Sequence, residues 1–175
     1  RGIRELFTAM IHRILQKDDI TLQELYDKSH IKLSVKVFNI TDKYYEFISH
    51  VTYPDLSLIT LAEMTTAIPV LFKPILYREK LYCDGGIKHG YPTGYEPSPN
   101  YLGIFLNARC DMGTISLPIV QTVMNIVQGN EYDFTLTERI INANTNTGLD
   151  FGMDEEKKQR LLRDTYNTTI EHIET

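Results

Sequence analysis

The stretch LAEMTTAIPVLFKPILYREKLYCDGG, residues 61–86, decides the reading of this chain. Its first residues continue a small-residue helix that starts at residue 58, and Pro69 must end it, because the ring disfavours helical geometry at Ile68 and removes a donor. Residues 75–77 and 80–83 read as two short strands around the polar pair Arg78-Glu79, and the second delivers the chain into Asp84-Gly85-Gly86. An aspartate at a strand end followed by two glycines has a mechanical meaning. Glycine admits positive φ and a close backbone approach, so the carboxylate can face a cleft. Alone, the tripeptide reads more readily as an ordinary turn, and its surroundings have to decide.

Working back toward the start, Ile3, Leu6, Phe7, Met10, Ile11, Ile14 and Leu15 recur at helical spacing and predict one continuous apolar stripe. Thr21 followed by Glu24 is a capping box, in which the hydroxyl meets an orphan N–H and the carboxylate reaches back, so a second helix starts there. From residue 31 the pattern turns to alternation. Ile31, Leu33, Val35 and Val37 share the face of a strand, with Lys32, Ser34 and Lys36 on the other. Residues 39–43 form a turn cluster and 44–48 a second strand, which together predict a hairpin.

Working forward, residues 86–100 are rich in Gly, Pro and Tyr and read as a long ordered loop. Residues 101–106 predict a strand covered on both faces. Helical spacing resumes over 117–127, residues 139–143 predict a strand, and 154–173 predict a helix whose Asp154, Glu155 and Glu156 suit its positive end. Helices alternate with strands and no linker, charge run or repeat divides the chain, so the class is α/β in one unit over residues 1–175.

The bulk numbers bound the function. With 42% apolar and 23% charged residues, the 175-residue chain can bury a core without disulfides or metals. A net charge of -5 with scattered basic residues argues against nucleic acid as a partner. Cys83 and Cys110 are the two cysteines, with no paired-cysteine or histidine-rich spacing, so we expect free thiols and no metal or other cofactor. The sequons at Asn39 and Asn167 carry little weight outside a secreted protein. The sequence begins Arg1-Gly2 without an initiator Met or a charged-then-apolar stretch, so the start reads as cut, and the two unpaired cysteines lean toward the cytoplasm.

In the order of its parts, the stretch resembles the patatin-like phospholipases: a small-residue helix, an Ile-Pro exit at Ile68-Pro69, the Phe72-Lys73-Pro74 segment, a strand, and Asp84-Gly85-Gly86. Residues 21–40 resemble the family's preceding helix and strand, and 147–173 its closing turn and helix. The sequence departs from the family just after the glycines, where Lys88-His89-Gly90-Tyr91-Pro92 stands in place of an Asn-Pro pair. The resemblance implies a three-layer α/β/α fold, here a partial one: the C-terminal half of a patatin-like domain whose nucleophile-bearing N-terminal half is absent.

It also implies chemistry. In such enzymes a serine on a Gly-x-Ser-x-Gly elbow attacks an acyl ester, an aspartate accepts its proton, and a glycine-rich turn holds the oxyanion. By that resemblance Asp84 is the general base, and Gly85 and Gly86 orient it. None of Ser29, Ser34, Ser49, Ser57, Ser98 or Ser116 lies between glycines two positions away, so no nucleophile is expected in this chain. The implied substrate is a phospholipid or another acyl ester, with peripheral membrane contact and a partner chain over the sheet edge that the missing half leaves open.

Other residues keep blander readings. His89 suits a solvated loop position better than a third catalytic member, and Asp111 and Asp133 suit caps or surface sites better than metal sites. Tyr91, Tyr95 and Tyr101 read as loop packing or as an interfacial rim, and residues 56–59 and 68–72 as plain core or as an acyl groove. Two functions follow: a lipid acyl hydrolase of which this chain supplies the acid, or a non-catalytic component of a larger assembly that kept the fold and lost the serine.

Overall fold

A computed structural model of the protein describes residues 2–87, 91, 102–108, 140–145 and 153–174. They divide into two compact units, Arg1–Lys88 and His89–Thr175, each taken here by itself. The first holds α1 (Gly2–Leu15), α2 (Leu22–Ser29), β1 (Ser34–Asn39), β2 (Tyr44–Ser49), α3 (Leu58–Thr66), β3 (Ile75–Tyr77), β4 (Lys80–Asp84) and a 3-10 turn over Gly85–Ile87. Its sheet runs β2-β1-β4-β3, with every neighbouring pair antiparallel. The second unit contains a parallel pair, β5 (Gly103–Ala108) and β6 (Ile140–Thr145), and the helix α4 (Glu155–Glu174). The architecture is thus mixed α/β, with an antiparallel sheet in the first unit.

Cross-strand register explains the core. Val37 pairs with Glu46 on β2 and Asp84 on β4, while Val35 pairs with Ile48 and Asn39 with Tyr82. Directly opposed residues share a face, so this one face carries Val35, Val37, Ile48 and Tyr82. Leu22, Leu56, Leu61 and Met64 cover it, and Val37, Ile48, Leu56 and Met64 lose all contact with solvent. Ile31 and Leu33 do not join them. They precede the strand and are exposed, which corrects the expectation that they extend its covered face.

The helix ends match their sequence signals. Thr21 accepts from the Glu24 N–H at 3.1 Å while Glu24 accepts from the Thr21 N–H at 2.8 Å. Lys17, bonded to Glu24 at 2.7 Å, and the Thr21 N–H together hold that carboxyl down to about 2. Ser57 caps α3 by accepting from the Thr60 N–H, and its own hydroxyl donates to Asp19. Helix α3 ends at Thr66, with Ala67 as its cap ahead of Pro69.

Helix α1 departs from its expected single stripe. Ile11 is buried, with Phe7 and Leu15 packed beside it against Ile20 and Ile59, whereas Leu6, Met10 and Ile14 remain exposed. In the second unit, Asp154 caps α4 by accepting from the Lys157 N–H at 2.9 Å. The helix expected over 117–127 lies outside the described residues.

Candidate active site

Strand β4 is the second arm of a hairpin and the third strand of the sheet, and its last residue runs past the end of β3. Asp84 pairs with Val37, and its N–H donates to the carbonyl of Ala67, at the exit of α3, at 3.2 Å. The helix exit, Pro69 and the strand end therefore form one joint, which is why these separated sequence features occur together. Val70, just past the proline, sits at φ 73, a strained setting for a β-branched side chain. Val70 and Phe72 both face solvent.

The two glycines serve the site through space. A Cβ on Gly85 would stand 2.3 Å from the Lys36 carbonyl oxygen of β1, so a side chain there would push the turn off the sheet. A Cβ on Gly86 would come within 3.2 Å of Asp84 Oδ1. Neither glycine has positive φ, so close approach is the part of the expectation that applies. The turn they allow brings the Gly86 N–H to Asp84 Oδ1 at 2.7 Å.

Asp84 is half-buried, and burial pushes its carboxyl above the ordinary aspartate value, with the Gly86 N–H pulling the other way. That single backbone donor fixes one oxygen. Among the described residues no hydroxyl bonds this carboxylate. A desolvated, oriented and sparingly satisfied carboxylate is a competent proton acceptor. Its neighbour Cys83 is buried, and burial followed by the Asp84 charge pushes the thiol up to about 12, which leaves it protonated and unreactive.

The other predicted residues fall elsewhere. Ser29 donates to the Leu25 carbonyl, Ser34 opens β1, Ser49 is buried at the end of β2, and Ser57 caps α3. His89, Tyr95, Tyr101, Ser98, Ser116, Cys110, Asp111 and Asp133 lie outside the described residues, and Tyr91 is half-buried. Of the two segments read as groove or core, Leu56 and Ile59 are core. The Asn39 sequon fails, because Asn39 is fully buried, while Asn167 is exposed on α4. No helix among the described residues is long and apolar enough to cross a membrane.

Sequence reasoning missed a polar cluster at the other end of β4. The Asn39 amide donates to Asp42 at 3.0 Å and to Glu46 at 2.6 Å, and the Tyr53 hydroxyl donates to Glu46 at 2.5 Å. Lys80 closes on Asp42 at 2.7 Å. Asn39 read as a turn residue. The signal available was the number of Tyr, Asp and Glu residues flanking one Asn, which becomes meaningful only once register is known.

The first unit is thus a mixed α/β fold in which a helix exit and a strand end meet at a glycine-locked, half-buried aspartate. The chain belongs to the patatin-like phospholipase family, whose model matches residues 4–95, just over half of its length. Over 73 residues it is 33% identical to the protein named Probable lipid hydrolase 463L of Invertebrate iridescent virus 6, covering 42% of this chain and 25% of that protein. In fold it is similar to the crystal structure of VipD from Legionella pneumophila, with a TM-score of 0.58 and 20% identity over 91% of this chain and 36% of that one. The chain thus spans about a quarter of the curated relative and about a third of the solved one.

Proposed function

We propose that Asp84 is the proton-accepting carboxylate of a Ser-Asp dyad in a lipid acyl hydrolase, and that the nucleophilic serine comes from a part of the protein outside these 175 residues. The observation that carries this reading is the state of Asp84: held by one backbone N–H, raised by burial, and seated on a turn that admits no side chain at Gly85. A carboxylate whose affinity for protons is raised takes the serine proton more readily as the hydroxyl attacks an ester carbonyl, and returns it to the leaving alkoxide. Family membership and the lipid hydrolase relative support acyl esters of lipids as substrates. No cofactor enters this chemistry.

The exposed Val70 and Phe72 next to the Ala67–Asp84 joint suit contact with an acyl chain or a lipid surface at the bilayer boundary, and a cytoplasmic protein visiting membranes fits that use. The test is ester hydrolysis by the protein carrying its upstream sequence, with Asp84→Asn compared against the parent. Loss of turnover in a folded variant is the expected result. Retained turnover would remove Asp84 from the dyad, and an upstream sequence lacking a Gly-x-Ser-x-Gly elbow would leave the non-catalytic reading in its place.

A further inference from the structure

An open surface cavity of about 470 Å³ lies at the end of β4 remote from Asp84, lined by Glu46, Thr52, Tyr53, Arg78, Lys80 and Tyr82. Its volume falls in the range of small-molecule pockets, roughly 300–1,000 Å³. The charges in it are arranged rather than mixed. Arg78 sits over the Tyr53 ring, 5.5 Å from the centroid, and 5.2 Å from that of Tyr77. The hydroxyl of the same Tyr53 donates to Glu46 at 2.5 Å and meets the Tyr82 hydroxyl at 3.3 Å. One aromatic ring therefore separates a guanidinium at its face from a carboxylate at its tip.

The two charges differ from ordinary surface ions. Among the described residues Arg78 has no acidic partner, while Lys80 is already neutralised by Asp42. Burial works against the charge on Glu46, but hydrogen bonds from Tyr53, Asn39 and Tyr44, aided by Lys80, hold its carboxyl below the usual range. The backbone supplies an independent sign. The hairpin turn between β3 and β4 has Arg78 at φ 47 and Glu79 at φ 62, left-handed positions that Asn-Gly fills without strain. Strain of this kind, of order 1 kcal/mol or more per residue, persists where it serves a purpose. Here it keeps a guanidinium on a tyrosine platform at the mouth of the cavity.

We infer that this cavity binds a zwitterion that joins a phosphodiester to an ammonium group, with the phosphate on Arg78 and the ammonium at Glu46. Arg78 and Glu46 sum to no net charge, as does the ligand, so neither a bare anion nor a bare cation satisfies both ends. A guanidinium recognises phosphate through paired donors, and an ammonium is stabilised by a carboxylate through charge-assisted hydrogen bonds. The chemistry is that of a zwitterionic lipid headgroup or of its soluble counterpart. As a headgroup site it rests on the lipid hydrolase reading and deepens it; as a site for the soluble molecule it stands without it.

Calorimetric titration of the full chain with glycerophosphocholine, inorganic phosphate and choline, followed by flotation with phosphatidylcholine vesicles, tests the inference. We expect glycerophosphocholine to bind at least about tenfold more tightly than either fragment. Arg78→Gly should abolish that binding while keeping or raising thermal stability, since glycine relieves the left-handed turn. Vesicle binding lost with Arg78→Gly identifies the lipid headgroup, and binding of the soluble diester alone identifies the free molecule. Equal affinity for inorganic phosphate, no binding to any probe, or unchanged binding in a folded Arg78→Gly protein would each overturn the site. Hydrolysis measured separately on the serine-bearing protein keeps the readings apart: turnover without headgroup binding removes only this site, and binding without turnover removes only the role of Asp84.

Discussion

Glu46 and Asp84 occupy the same cross-strand row, one on each side of Val37, yet their carboxyls are driven in opposite directions. Glu46 receives the Asn39 amide and the Tyr53 hydroxyl, and these donors outweigh the cost of its burial. Asp84 receives one backbone N–H, and burial wins. The two acids on one face of one sheet thus differ in both respects: Glu46 collects several donors, whereas Asp84 has one and lies deeper, and together these leave Asp84 the more able to take a proton.

The strongest way to break the contrast is Asp84→Asn. The amide keeps the Gly86 hydrogen bond and loses only the proton-accepting ability. Turnover of a lipid ester by the serine-bearing protein should fall by about 10²–10⁴-fold, the usual contribution of a general base. Stability at neutral pH should stay level or rise, on the order of 1 kcal/mol, because a desolvated charge is removed. Urea midpoints alongside the activity assay check both. A folded variant with intact turnover would place Asp84 with Glu46 as structural.

Next in size is Gly85→Ala, which forces a Cβ to within 2.3 Å of the Lys36 carbonyl and should cost roughly 1–3 kcal/mol. Gly86→Ala, at 3.2 Å from a side-chain oxygen, should cost less stability and show its effect chiefly in turnover as the carboxylate is displaced. At the other end of the row, Asn39→Ala leaves Glu46 and Asp42 without the buried amide and should cost about 1–3 kcal/mol with no direct effect on turnover. Equal stability losses at both glycines would mean that backbone approach, rather than orientation of Asp84, accounts for the pair.

pH sharpens the contrast because the signs differ. Glu46 has a lowered value in the fold, so its contribution is present above the ordinary glutamate value and disappears as pH falls through the depressed one. Asp84 has a raised value, so its contribution is complete below the ordinary aspartate range and disappears as pH rises through the raised one. Stability measured from about pH 3 to about pH 8 should therefore lose part of its acid-side slope in Glu46→Gln and part of its decline toward neutrality in Asp84→Asn. Parallel curves for parent and both variants would remove the assignment of opposite roles.

Local chemistry was legible in the sequence and pairing was not. The Thr21 and Glu24 capping box, the exit at Pro69 and the strand leading into Asp84 each follow from a few neighbouring residues, and each is present. The placement of β4 between β1 and β3 is a long-range fact that no window reveals, and with it came two features sequence could not show: the burial of Asn39 and the shared row of Glu46 and Asp84. The apolar stripe of α1 was real, but periodicity cannot say how much of a stripe its neighbours cover, and Leu6, Met10 and Ile14 stay exposed. The pair Arg78-Glu79 was legible as the break between two strands, but its left-handed conformation was not, since neither residue type favours the positions it occupies.

The smallest expected effect tests whether the Glu46 end owes its stability to buried donors or to surface charge. Lys80 and Asp42 form a 2.7 Å pair with side chains 40% and 36% exposed, each shifting the other toward its charged form. Solvent screens such a pair, and the side chains lose freedom in making it, so its net contribution should be small. Lys80→Gln should therefore shift the urea midpoint less than any other substitution named above, and the difference from the parent should vanish near 1 M salt, where the screening length is only about 3 Å. Because Lys80 also helps hold Glu46 ionised, a loss approaching that of Asn39→Ala would make the surface cation, rather than the buried amide, the group that separates Glu46 from Asp84.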